Sequence, residues 1–402
     1  MADQPLPHLS DEIREFIRKK ASENPADVAL ELSGQTDWPR KFITQQIKGR
    51  QIAKKKIPSW SEIDEILFPP HLNLEQSSSE ITARHKATLF SGDLLVDLTG
   101  GFGVDALFMA ASFKQVKIIE PNPELVQLVR HNAEVLGLEH VSVYQSTAEG
   151  FLADFDGKAD CMVIDPSRRD EYQRRMNRLE DGVPNVIQLK KELLEKSKYT
   201  LIKASPMLDI TQAYRDLSSV CDIQVISVKN ECKEILFTLS DEKTENSDSD
   251  CTIEAVELAG KESNRILEKA DFPYSFFSLR ISEPGAYLYD PNVSLLKAGL
   301  QDIHAGRLKL NKLDQNTHLY DSEELNEDFC GRIFRILERS PLNRKKLKWL
   351  KQEKQFNIIC KNVPLSPNQV RKKLKISEGG KMFMIVAKTL NGVEVMVCER
   401  VK

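Results

Sequence analysis

Leu94-Leu95-Val96-Asp97-Leu98-Thr99-Gly100-Gly101-Phe102-Gly103-Val104-Asp105-Ala106 constrains this chain more than any other stretch. An apolar run, a cluster of glycines and a return to apolar spacing predict a strand, a tight turn and a helix beginning near Val104. Glycines at that turn let the backbone bend sharply and lie close to a ligand, because no Cβ intervenes. Residues 116–120 form a second apolar run ending in Glu120, 19 positions after Gly101. That spacing suits an acid that hydrogen-bonds a ribose hydroxyl. A nucleoside-bearing ligand is therefore expected over the glycine turn.

From Leu94 onward strand and helix signals alternate. Strands are expected at 94–98, 115–120, 141–144, 160–164 and 198–203, with helices near 104–112, 123–136, 148–153, 185–196 and 209–218. Such alternation predicts a Rossmann-like α/β fold with a mostly parallel sheet. The runs 223–228 and 234–239 are too close for a crossover, so they should close the sheet as an antiparallel hairpin. Residues 10–86 read as mainly helical, with Ser10 as a cap and Ile13, Phe16 and Ile17 on one face. The segment 75–86 should form a turn and a short helix across the mouth of the glycine loop. There Gln76 and the serines either touch a ligand or cap the helix. Residues 240–250 are polar and acidic and read as a loop. Farther on, 272–319 suggests a small α+β unit. Residues 330–402 predict a strand, a basic helix around 364–374 and a hairpin about Asn391-Gly392. The expected division is an N-terminal helical domain (1–86), the Rossmann-like domain (87–260), a small α+β, ferredoxin-like domain (261–329) and a basic C-terminal domain (330–402).

At 402 residues the chain exceeds one ordinary core. No apolar run reaches the roughly 18 residues that span a bilayer, and no secretory signal opens the chain, so a cytoplasmic location is expected. Seven cysteines are scattered without Cys-x-x-Cys spacing, which argues for reduced thiols and against a metal site. The net charge of −3 conceals an asymmetry. Residues 1–86 carry 13 Lys and Arg against 13 Asp and Glu, and residues 330–402 carry 18 against 5. The remainder, 87–329, holds 26 against 42. The basic tail predicts a polyanion partner, RNA, or alternatively a lysine-rich surface that pairs with the acidic middle. Residues 37–60 carry seven cations against Asp37 alone, either as a phosphate-contacting face or as the wet side of an amphipathic helix.

Gly101-Phe102-Gly103-Val104-Asp105-Ala106 also matches the dinucleotide fingerprint, so an NAD-dependent dehydrogenase is one reading. Three features point elsewhere. Asp97 ends the first strand, where a carboxylate suits an ammonium and repels a pyrophosphate. Asp165-Pro166 follows the fourth strand beside the same crevice, and the sheet ends in a hairpin. With these motifs, residues 76–240 resemble the class I S-adenosylmethionine-dependent methyltransferases. The resemblance implies S-adenosyl-L-methionine as cofactor. Its methionine part would lie over Asp97, Thr99, Gly100, Gly101 and Gly103, its ribose at Glu120 and its adenine between Thr147 and Ala148, with Gln76 and Asp165 at the rim. Thr99 stands where many members carry glycine, and Thr147 where an acid is common.

Asp165-Pro166-Ser167-Arg168 lies where amino-methylating nucleic-acid enzymes carry Asn/Asp-Pro-Pro-Tyr/Phe. Asp165, Pro166 and Arg168 are the catalytic candidates: Asp165 to orient the acceptor and Arg168 to contact its base or phosphate. Enzymes that methylate uracil carbon pair a related Asp-Pro-Pro-Arg with a cysteine after strand five. Here that strand ends Lys203-Ala204-Ser205-Pro206, so transfer through a covalent cysteine is not expected and the acceptor atom stays open. Arg168, Arg169, Arg174, Arg175 and Arg178 crowd one loop, to contact phosphate or to pair with Asp170, Glu171, Glu180 and Asp181. His131 and His140 read as surface residues, and Phe102 as a packing residue. Residues 287–292 and 295–299 resemble the segment after the catalytic domain in bacterial methyltransferases with a THUMP-like domain, and 330–402 resembles that domain. THUMP modules bind RNA, so tRNA or rRNA is the implied substrate. A non-catalytic RNA-binding protein that retains the cofactor fold is the alternative, suggested by Ser167 and Arg168; the dehydrogenase ranks last.

Overall fold

Ser10 accepts the Ile13 N–H at 3.4 Å and starts α1 (Asp11–Lys19), which buries Ile13 and Ile17 as their spacing requires. Asn24 caps α2 (Pro25–Glu31) in the same way. Next come α3 (Arg40–Lys56), α4 (Pro58–Ser61), α5 (His71–Gln76) and α6 (Glu80–Lys86). The computed structural model describes residues 6–34, 37–168, 178–240, 251–259, 265–274, 278–282 and 285–402. It divides into two compact units, and these helices belong to the first, which runs to Ile223 and resumes at Glu234. The apolar faces of α1, α2 and α3 share a core with Leu125 and Leu128. One expectation for α3 is corrected: Arg50 lies on neither a wet nor a phosphate-contacting face. It is 7% exposed, and its guanidinium donates to the carbonyls of Ile63, Asp64 and Ile66.

The rest of the first unit alternates as expected: β1 (Gly92–Asp97), α7 (Val104–Met109), β2 (Phe113–Ile119), α8 (Pro123–Val135), β3 (Val141–Tyr144), α9 (Ala148–Asp154), β4 (Ala159–Ile164), a two-stranded pair β5 (Ser167–Arg168) and β6 (Gly182–Val183), α10 (Val186–Lys196), β7 (Ser197–Ala204) and α11 (Ile210–Leu217). The hairpin β8 (Val220–Val228) and β9 (Glu231–Leu239) follows. Its turn, Lys229-Asn230, has φ of 52° and 60°, the left-handed pair that two-residue hairpins favour. The strand order runs β8-β9-β7-β4-β1-β2-β3. β7, β4, β1, β2 and β3 pair in parallel, and β9 lies antiparallel to β7. β4 is central and buries Cys161, Met162, Val163 and Ile164, as a strand covered on both faces must. The order turns back at β1, with β2 on one side and β4 on the other. Open α/β sheets bind ligands at such a switch point, beyond the carboxyl ends of the strands.

The second unit comprises Gln224–Lys233, Cys251–Ala259 and Arg265–Lys402. In it, β10 (Thr252–Leu258) pairs antiparallel with β11 (Arg265–Asp271). Then come β12 (Tyr287–Pro291), α12 (Val293–Ala298), α13 (Gln301–Arg307), β13 (Asn311–Asp314), β14 (Thr317–Ser322), β15 (Gly331–Pro341), β16 (Gln355–Lys361), α14 (Pro367–Leu374), β17 (Ser377–Thr389) and β18 (Gly392–Arg400). Seven of these strands form one sheet in the order β13-β14-β12-β15-β18-β17-β16, which joins residues before and after 330. Two strands, rather than the expected one, precede the basic helix. The second, β16, runs parallel to β17 with α14 as the crossover. No disulfide joins the seven cysteines. Among the described residues no helix is long and apolar enough to cross a membrane.

Candidate active site

At the carboxyl end of β1 the chain turns on its glycines. Gly101 and Gly103 have φ of +53° and +77°, a region that side chains with a Cβ rarely adopt. Gly100 is needed for space: a Cβ there would lie 2.4 Å from Ile118 Cγ2. The turn is fastened from both sides. Glu120 accepts the Gly101 N–H at 2.7 Å and the Asn122 N–H at 2.8 Å, so the acid after β2 holds the glycine loop itself. Thr99 accepts the Asp165 N–H through its hydroxyl at 2.7 Å, joining the loops after β1 and β4. A glycine at 99 would leave that amide without this partner, which accounts for the departure from the common pattern.

A cavity of about 420 Å³ opens over this turn. Its lining includes all ten residues expected to contact the cofactor: Gln76, Asp97, Thr99, Gly100, Gly101, Gly103, Glu120, Thr147, Ala148 and Asp165. α5 and the residues after it supply Asn73, Gln76, Ser77 and Ser78 to the wall. Ser79 caps α6, so the serine run divides between lining and capping. Thr147 caps α9 by accepting the Gly150 N–H at 3.1 Å. Pro166 is buried and outside the lining. The Arg168 side chain lies outside the described residues, as do Arg169, Asp170, Glu171, Arg174 and Arg175. Arg178 is exposed and pairs with Glu180 at 3.0 Å, the internal pairing weighed above. His131 and His140 bond backbone carbonyls of Glu65 and Ala110. Phe102 is buried edge-on to Trp60, a packing residue.

Two acids of the cavity, Asp97 and Glu120, are raised above the ordinary carboxylate range. Burial raises the Asp97 carboxyl to about 7; the Thr99 N–H opposes this, while Asp105 and Asp165 add to it and Lys203 subtracts. Burial also raises Glu120 above the ordinary carboxylate range, against its two N–H bonds.

Sequence reasoning passed over what lies beneath. Lys86, with no exposed surface, sits 3.2 Å from Asp105 Oδ1 and 2.5 Å from Glu234 Oε1. Lys203 contacts Asp165 closely, lies 3.6 Å from Asp105 Oδ2 and donates to Ser78 Oγ at 3.2 Å. Ser78 in turn donates to Asp105 at 2.6 Å. Burial would raise Asp105, but Lys86 and Lys203 hold it below its ordinary value. Burial would lower Lys203, yet Asp165, Asp105 and Glu234 push it upward, so it stays an ammonium. The signal in the sequence is Lys203 itself, a lone cation at the carboxyl end of β7 beside the crevice. Acids at each end of a glycine turn can hold a cationic ribonucleoside, and the cluster below sets fixed charges beside the cavity.

A THUMP domain-like family model matches residues 331–400, and a ferredoxin-like domain model matches residues 287–329. The crystal structure of a presumptive methyltransferase from Porphyromonas gingivalis W83 is similar over 97% of this chain and 98% of that one, with 30% identity and a TM-score of 0.84. An rRNA methylase from Streptococcus thermophilus covers 40% of this chain and 95% of its own, at 12% identity and a TM-score of 0.30. A presumptive methyltransferase from Streptococcus mutans in complex with SAH covers 40% and 97%, at 11% identity and a TM-score of 0.30. No curated protein matches the chain.

Proposed function

The chain belongs to the methyltransferase family of the Porphyromonas gingivalis protein, and from that premise we propose that it moves a methyl group from S-adenosylmethionine to structured RNA, tRNA or rRNA, in the cytoplasm. The observation that carries the reading is the pair of acids at the ends of one glycine turn, Asp97 and Glu120, in one cavity at the sheet's switch point. Asp97 suits the ligand's ammonium, and Glu120, already fixed by two backbone N–H groups, suits its ribose. Gln76, Thr99, Gly100, Gly101 and Gly103 form the bed, and Thr147 and Ala148 the adenine end. In this reading Asp165 orients the acceptor beside the buried Pro166, and Arg168 contacts the acceptor's base or phosphate. Bound there, S-adenosylmethionine supplies an electrophilic methyl carbon, and the residues have only to align an acceptor with it. The basic residues of 330–402, with the THUMP-like match over 331–400, support RNA as the partner. The four-part division at 86, 260 and 329 belongs to this reading.

Titration calorimetry with S-adenosylmethionine tests the first step. Wild type should bind and Glu120→Ala should lose at least tenfold in affinity; equal affinity in both would end the proposal. Nucleoside mass comparison of RNA from cells with and without the gene tests the second. Binding without any change in modification would favour the non-catalytic reading that Ser167 and Arg168 suggest.

A further inference from the structure

The charged cluster under the cavity is more elaborate than cofactor binding requires, and its chemistry discriminates between acceptor atoms. At the acceptor end, the Lys203 ammonium and the Asp165 carboxylate line the cavity in close contact with each other, with Asp105 and Ser78 beside Lys203 in the same wall. Behind them Lys86 and Glu234 are buried and outside the lining. Removing charges from water is costly, so a buried cluster of this size is weak evidence for stability and calls for another use.

An amine or ring nitrogen attacks with its own lone pair and turns more positive as the new bond forms. A neighbouring ammonium raises that barrier. Uracil carbon is made nucleophilic through a covalent thiol, and no cysteine lines the cavity among the described residues. A hydroxyl behaves in the opposite way. It must shed its proton to become a good nucleophile, and a fixed ammonium steadies the oxygen as negative charge develops. On RNA, the hydroxyl that every nucleotide carries is the ribose 2′-OH.

Resting on the proposed methyl transfer to RNA, we infer that the acceptor is a ribose 2′-hydroxyl, with Lys203 as the cation at its oxygen and Asp165 as the proton acceptor. In the step the acceptor's O–H bond breaks and its proton passes to the Asp165 carboxylate, which is exposed enough to release it to water. The oxygen forms a bond to the methyl carbon of the sulfonium donor. The carbon–sulfur bond breaks, its electron pair goes to sulfur, and a neutral thioether leaves. Lys86 and Glu234 do not reach the acceptor and act as positioning residues: Lys86 ties Asp105 and Glu234 together behind Lys203. Deleting Lys203 removes the one cation that faces Asp165 among the described residues, while Asp97 on β1, Asp105 on α7, Glu234 on β9 and Lys86 on α6 remain around the gap.

The test uses the full chain, S-adenosylmethionine with a deuterated methyl group, and RNA from cells of the same species lacking the gene. Digestion to nucleosides and mass spectrometry should place the label on ribose, and the labelled linkage should resist alkaline cleavage. Label on a base overturns this inference and leaves the methyltransferase reading standing, whereas no label in any RNA overturns both. With a labelled RNA in hand, Lys203→Met should lower kcat 10²-fold or more. It should also give a rate that climbs with pH with unit slope where the wild type levels off, because hydroxide must then replace the missing cation's help. Lys203→Arg should recover part of kcat. S-adenosylhomocysteine affinity, measured calorimetrically, should stay within about threefold of wild type in Lys203→Met, which also shows that the variant folds. A loss of that affinity equal to the loss of rate would assign Lys203 to the cofactor and overturn the assignment.

Discussion

Asp97 carries the sharpest consequence of a single residue's surroundings. Burial, with Asp105 and Asp165 nearby, raises its carboxyl to about 7, so the empty site holds a proton there at slightly acid pH. A ligand ammonium favours the ionised form. The apparent affinity for S-adenosylmethionine should therefore rise about tenfold between pH 6 and pH 8, in proportion to the ionised fraction. Asp97→Asn should bind more weakly and flatten that dependence; calorimetric titrations at several pH values decide it. For folding the sign is reversed. An acid whose folded pKa lies above its ordinary value contributes most stability at low pH and loses it as pH rises toward 7. The site's acids were legible because their types and spacing carry the chemistry. Arg50 was not, since the three carbonyls that it satisfies come from a loop 13 to 16 positions later, and no local pattern marks a buried guanidinium.

At the scale of elements, the turn between β1 and α7 was readable because glycine spacing is a local signal. Gly103 caps α7 in the left-handed region, and a Cβ there would also stand 2.9 Å from Val129 Cγ1. Gly103→Ala should cost about 1–2 kcal/mol from backbone strain alone. That should appear in calorimetry as a fall of roughly 2–8 °C in Tm. An unchanged Tm would mean that the turn does not have this conformation. The ion pair between Lys86 on α6 and Glu234 on β9 was unreadable, because 148 positions separate the partners. Lys86→Met leaves Glu234 buried without its cation and Asp105 with Lys203 alone, and should destabilise the first unit by about 3–5 kcal/mol. Adding Glu234→Leu should return part of that loss in denaturant titrations. β16 was missed for a different reason: its flanking charges, with Lys351, Lys354 and Lys361 at its ends, conceal a short strand that gains its partner only through the α14 crossover.

The whole chain is acidic in its middle and basic at its end, and total charge hides what each part presents to a partner. α14 and the residue that ends it expose Lys372, Lys373 and Lys375, and Lys372 and Lys375 border a shallow groove with Arg371 and Asn368. Arg371 is already engaged by Glu378, so the three lysines are the groups there with charge to offer. If this surface neutralises RNA phosphates, each contact releases counterions, and log Kobs falls with log salt by about 0.7–0.9 per contact. Replacing the three lysines with glutamate should lower the magnitude of that slope by about two to three and weaken binding to unrelated structured RNAs by similar factors. The same variant should bind S-adenosylmethionine as wild type does, because none of the three lines the cofactor cavity. A filter-binding salt series beside a cofactor titration measures both quantities on one preparation. An unchanged slope would move the phosphate contacts away from α14 and return its lysines to the role of a solvated surface, while a joint loss of RNA and cofactor affinity would point to misfolding and not to recognition.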